Sequence, residues 1–159
     1  MGSDSDLPVV QAGIDVLDRF GIRREVKVVS AHRTAEATHE YVRDAEARGC
    51  LVFIAAAGLA AHLAGTIAGL TTRPVIGIPI DAGPLAGFDA LLSTVQMPGG
   101  IPVACMAIGK TGARNAGYLA AQIMSLSHPE IAARLQKDRA ENADSILEKD
   151  KSLQRQLAK

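Results

Sequence analysis

The stretch VKVVSAHRTAEATHEY, residues 26–41, carries the reading of the fold. Val26, Val28 and Val29 are β-branched and suit a strand. They stop abruptly at Ser30-Ala31-His32-Arg33, and Thr34 stands as the N-cap of a helix. Beyond it Thr38, Tyr41, Val42 and Ala45 return at three-to-four spacing, and Gly49 marks the stop. The unit is a strand, a tight junction bearing two cations side by side, and a helix.

Similar units recur outward along the chain. Apolar runs bounded by turn signals predict strands at 24–30, 51–57, 74–80 and 101–108. Helical periods fill 7–20, 35–48, 59–70, 85–95, 112–126 and 129–157. Strands without polar alternation, separated by helices, predict a parallel sheet covered on both faces, an α/β fold. The 159 residues read as one domain, and a hydrophobic fraction of 48% is enough to bury a core. The last 32 residues change character: charge is dense, and Ile131, Leu135, Ile146, Leu147, Leu153 and Leu157 form a thin apolar stripe. That pattern predicts a long C-terminal helix packed on its own domain or on a neighbouring subunit. At the other end, MGSDSDLPVV is a Gly/Ser/Asp loop running into a helix, with Pro8 near the first turn. Such a loop normally follows a strand, so a first strand is expected to be missing or truncated.

Composition excludes several functions. Seventeen basic residues balance 17 acidic ones, and aromatics make up 3%. With no basic groove and few rings to stack on bases, nucleic acid is not an expected partner. No apolar run reaches the ~18 residues of a membrane span, so a soluble, cytoplasmic protein is expected. Cys50 and Cys105 stand singly in apolar runs and read as reduced thiols. The four histidines lack any spacing such as HxxxH, and no metal is expected. Neither GxSxG nor a strand–GxGxxG–helix fingerprint occurs. Gly109-Lys110-Thr111 is no P-loop, because Ala104 stands where its first glycine belongs.

In a doubly wound sheet, ligands collect beyond the carboxyl ends of the strands, near helix N-termini. Four segments converge on that rim. Gly2-Ser3-Asp4-Ser5-Asp6 offers hydroxyls and amides that suit a phosphate, and Asp6 suits ribose hydroxyls; serine and aspartate are equally ordinary helix caps. Ser30-Ala31-His32-Arg33-Thr34 sets a cation where the helix dipole already favours anions, an arrangement that makes sense around a bound anion. His32 could move a proton there, or simply bond to backbone. Residues 55–65, AAAGLAAHLAG, leave a strand through small side chains and place His62 in the first turn of a helix. They would admit a ligand close to the backbone, or pack a helix closely on the sheet. Met97-Pro98-Gly99-Gly100 is either a loop over a ligand or a turn. His39 and His128 read as helix-surface residues.

Taken together, GSDSD, SAHRT, AAHLAG, QMPGGIPV and AIGKTGARNAGYLAAQI resemble, in order and spacing, the bacterial N5-carboxyaminoimidazole ribonucleotide mutase family of purine biosynthesis. The likeness runs from residue 2 to the last helix. It implies a flavodoxin-like, three-layer α/β/α sandwich assembled as a homo-octamer with sites near subunit contacts. It also implies an isomerase that moves a carboxyl group from the exocyclic nitrogen of an aminoimidazole ribonucleotide to carbon 4, with no cofactor, neither ATP nor metal. By the resemblance, His32 is the general acid/base. Ser3, Ser30 and Arg33 hold the 5′-phosphate or nearby anionic groups, Ala31 lies beside the substrate, and Asp6 contacts the ribose. Ala57, Gly58, Ala60, Ala61, His62 and Leu63 shape the pocket that retains CO₂. A second branch of the family carboxylates aminoimidazole ribonucleotide directly with CO₂. It has Ser-Asn where this chain has Ala61-His62, and often Lys in place of Arg33, so the sequence sides with the mutase. That direct carboxylase and a non-catalytic nucleotide-binding module are the alternatives. The chain departs from the family pattern at Met1, where a strand is usual before Gly2. It departs again in Ala56-Ala57-Gly58-Leu59, where GAGG is usual, and at Ala64, where proline is usual.

Overall fold

The computed structural model describes residues 1–158. The chain divides into two compact units, Met1–Ala120 and a second from Ala121 onward. In the first unit, β1 (Phe53–Ala57), β2 (Val75–Pro79) and β3 (Ala104–Cys105) form a parallel sheet in that order. Phe53 pairs with Val75 and Ala57 with Pro79, while Ile76 pairs with Ala104. After a 3-10 turn at Asp4–Asp6, the helices are α1 (Leu7–Arg19), α2 (Ala35–Ala47), α3 (Leu63–Ala68), α4 (Phe88–Val95), α5 (Gly109–Ser125) and α6 (Pro129–Leu157).

All five residues of β2 are buried, as expected of a strand covered on both sides. On one face, Phe53, Ala55 and Val75 pack in a core with Val42 and Ala45 of α2 and Leu63, Ala64 and Ile67 of α3. Ile76 and Ile78 alternate with these and are buried on the opposite face. Helices α1 and α5 meet backbone to backbone. A Cβ placed on Gly13 would lie 2.6 Å from the Ala113 carbonyl oxygen, and one on Gly117 would lie 2.8 Å from that of Gly13. Phe20 closes the same seam edge-on against Tyr118, with ring centroids 5.5 Å apart. The three-layer α/β/α fold expected from the sequence is the fold observed, and the long C-terminal helix spans the expected 129–157.

Boundaries differ in instructive ways. The strand expected at 24–30 is not a strand of the sheet. Its neighbouring position holds only the first two residues of the chain. The Met1 amino group donates to the Lys27 carbonyl at 2.9 Å, Val29 N–H donates to the Met1 carbonyl at 3.0 Å, and Gly2 N–H donates to the Ala56 carbonyl at 3.0 Å. Met1-Gly2 therefore stands between 24–30 and β1, bonded as the last step of a parallel strand. Phe53 N–H and the Ala57 carbonyl serve the β2 side, so Ile54 and Ala56 turn their backbone groups toward the Met1-Gly2 side. Val26 and Val28 are left about half exposed. The strand expected at 101–108 shrinks to two residues, in keeping with Pro102, which cannot donate to a ladder. The third helix begins at Leu63 rather than at 59, and α5 begins earlier than expected, at Gly109.

Candidate active site

Three of the four rim segments come together. In the first loop, Ser3 caps the Asp4–Asp6 turn: Ser5 N–H donates to Ser3 Oγ at 3.3 Å, and Ser3 N–H donates to Asp6 Oδ2 at 3.1 Å. This reciprocal capping fixes the loop before any ligand arrives. Asp6 is only 8% exposed, and burial pushes its carboxyl above the ordinary value against the opposing pull of the Ser3 amide.

The second segment is a knot of hydroxyls. Ser30 N–H donates to Thr34 Oγ1 at 2.9 Å, Thr34 Oγ1 donates to the Ser30 carbonyl at 3.2 Å, and Arg33 N–H donates to Ser30 Oγ at 3.2 Å. Thr34 does occupy the N-cap position of α2, but its hydroxyl turns back to Ser30 instead of capping the helix. The first amides of α2 are thus left without a side-chain cap, and a helix start of this kind attracts anions. Arg33 is exposed and reaches the first loop, with Nη2 3.4 Å from the Gly2 carbonyl oxygen.

The third segment supplies His62 at the N-cap position of α3, where its ring makes no capping bond. It faces His32 instead: His32 Nε2 and His62 Nδ1 are 2.7 Å apart, with the rings edge to face at 86°. A bond between two ring nitrogens needs one donor and one acceptor, so the pair fixes complementary tautomers or shares one added proton. Both rings are exposed. The pair therefore offers a proton-transfer group at a solvent-facing rim, next to a cation and uncapped helix amides. That combination suits proton movement on an anionic ligand.

The remaining expected residues divide. Ala57 and Gly58 lie beside the pair's rim, and a Cβ on Gly2 would lie 3.9 Å from that of Ala57. Ala60 is exposed, whereas Ala61 and Leu63 are each only 2% exposed, and Leu63 belongs to the core cluster. Met97 packs on Gly65, and nothing lies within 4 Å of a Cβ on Gly99 or Gly100. Among the described residues no three histidine, cysteine or acidic side chains gather as metal ligands. Among the same residues no helix is long and apolar enough to cross a membrane.

Two features are only faintly written in the sequence. Leu59 holds a left-handed backbone, φ 55°, which costs a branched residue roughly 1–2 kcal/mol. Its neighbour across the rim, the 81–87 loop, lies against Gly58 and Leu59. Gly58, and the glycine usual in the family where this chain has Leu59, hint at a tight turn here.

A family model described as AIR carboxylase matches residues 1–145. The N5-carboxyaminoimidazole ribonucleotide mutase of Thermotoga maritima is 49% identical, over 97% of this chain and 89% of its own length. The protein of the same name from Pyrococcus abyssi is 56% identical, over 87% of this chain and 79% of its own. The crystal structure of Treponema denticola PurE superposes with a TM-score of 0.87 at 33% identity, covering 96% of this chain and 94% of that one.

Proposed function

Because the chain belongs to the AIR carboxylase family, we propose that it is an N5-carboxyaminoimidazole ribonucleotide mutase, an isomerase of purine biosynthesis. The observation that carries the reading is the 2.7 Å contact of His32 with His62, set beside Arg33 and the uncapped start of α2.

In this reading Arg33 and the α2 amides receive the phosphate or a neighbouring anionic group of the ribonucleotide. Ser3 and Ser30 shape the two loops around it, Ala31 lies against it, and Asp6 faces the ribose. His32 gives a proton to the exocyclic nitrogen as the carbon–nitrogen bond of the carbamate breaks and CO₂ leaves. Carbon 4 of the imidazole then attacks the same CO₂, and His32 takes back a proton from carbon 4, so the catalyst ends as it began. His62 holds the partner tautomer. Ala57, Gly58, Ala60 and Ala61 form the small-residue wall beside the departing CO₂, with Leu63 fastening that wall to the core. Neutral CO₂ offers little to grip, so catalysis depends on keeping the fragments adjacent. No cofactor has a part in this scheme.

The enzyme works in the cytoplasm as a homo-octamer with sites near subunit contacts. Supporting that assembly, Leu85, Phe88 and Leu92 are 58–64% exposed on one short stretch. A monomer by sedimentation at micromolar concentration would overturn it. The catalytic reading is tested by two initial rates without ATP or added metal. One starts from the N5-carboxylated ribonucleotide, the other from the uncarboxylated ribonucleotide with bicarbonate and CO₂. The mutase forms product fast from the first and slowly from the second. The reverse pattern moves the chain to direct carboxylation, and silence in both leaves a nucleotide-binding module.

A further inference from the structure

We infer that Leu59 is a positioning residue, clasping the 57–62 rim loop to the 81–87 loop and thereby holding His62 in register with His32. Among the described residues, Leu59 and Ala86 are the non-glycine residues with positive φ, 55° and 48°, and each lies in one of these two loops. Strained backbone persists only where surrounding contacts over-determine it, and the contacts here are visible. A Cβ on Gly83 would stand 2.5 Å from Leu59 Cδ2, so the leucine fills the space that any side chain at 83 would need. One residue earlier, a Cβ on Gly58 would lie 3.1 Å from the Ala82 Cβ. The loops thus touch at two consecutive positions. The 81–87 loop is in turn folded on itself: Ala86 N–H donates to the Gly83 carbonyl, and a Cβ on Gly87 would lie 3.0 Å from the Ile80 carbonyl oxygen.

From Leu59 the path to His62 is short and stiff. His62 N–H donates to the Ala60 carbonyl at 3.0 Å, and Ala61 between them is buried. A rotation at Leu59 is therefore passed to the His62 ring, whose 2.7 Å bond to His32 has little tolerance. Leu59 remains 51% exposed, more than a residue held for core packing alone would be.

The kinetic arm rests on the mutase reading; the structural arm does not. Leu59→Ala keeps the left-handed position strained but removes the clasp, and Leu59→Met keeps a side chain long enough to reach Gly83. In the full chain, Leu59→Ala speeds amide exchange across 81–87 and shifts the His62 imidazole resonances. It lowers kcat about tenfold with KM changed less than twofold, as expected when geometry rather than binding is lost. Leu59→Met keeps all three readouts as in the parent. The proposal is overturned if exchange at 81–87 and the His62 resonances are unchanged in Leu59→Ala, or if KM rises while kcat holds. If the parent protein proves inactive in both rate assays, the functional reading fails, and the exchange and resonance data alone decide the clasp.

Discussion

His32 and Arg33 are adjacent in the chain yet face different tasks, and single substitutions separate them. His32→Asn keeps a polar side chain but cannot shuttle a proton at neutral pH. Its kcat is expected to fall by about 10²–10⁴ while KM stays within a few-fold, measured by steady-state rates on the N5-carboxylated ribonucleotide. Arg33→Gln should do the opposite. Loss of one charge-assisted hydrogen bond, about 1.5–3 kcal/mol, raises KM roughly 10–100-fold with a smaller change in kcat. Asp6 makes a prediction about stability. Its carboxyl is pushed up by burial from the ordinary 3.8, so the folded chain binds this proton to higher pH than the unfolded chain does. Stability therefore falls as pH rises from 3.8 through the folded value, and the penalty persists above it. Asp6→Asn removes that slope. The Tm of the variant minus that of the parent should grow with pH across this window and then level off; a constant difference would refute the sign. At this scale the sequence was informative where chemistry is scarce. Two histidines and an arginine near loop–helix junctions marked themselves, whereas at 59 the hint lay in the glycine usual there in the family, since nothing in a leucine itself announces a left-handed backbone.

At the scale of elements, junctions set the site more than the elements they join. The Ser30–Thr34 knot is built from three hydrogen bonds among residues that a helix-cap rule would have used differently. Thr34→Val keeps the shape and removes two of them, which should cost about 1–3 kcal/mol and loosen Arg33, seen as a raised KM accompanying a lowered Tm. The α1–α5 seam is legible only in retrospect. Gly13 looked like any small residue of an amphipathic period, and a backbone-on-backbone approach has no periodic signature. Gly13→Ala should cost about 1–3 kcal/mol by overpacking, or several degrees of Tm in a chain of this size, read by thermal unfolding. The β-branched residues of 24–30 predict a strand that the sheet does not contain, because membership of a sheet depends on a partner. Propensity reports what a segment can do, not what lies beside it.

For the whole molecule, the parallel α/β plan was the most legible feature, because a sheet buried on both faces writes itself as unbroken apolar runs. The proposed self-association is written less plainly. Phe88, Leu92 and Val95 recur at three-to-four spacing on α4 and are 46–64% exposed. Phe88→Glu is expected to shift the sedimentation profile toward smaller species; an unchanged profile would place the contacts elsewhere. The charged α6, with Ile146, Leu147, Leu153 and Leu157 exposed, looked the same from sequence whether it served its own chain or another.

The placement of Met1 has a practical side for anyone preparing this protein. Its amino group sits in the sheet's plane, between Lys27 and the β1 side, and burial lowers that group below its ordinary value. Any group joined to that nitrogen takes its positive charge away from Asp6 and leaves a single N–H to hold the Lys27 carbonyl. A label placed on this amino group therefore acts on the Gly2–Asp6 loop directly.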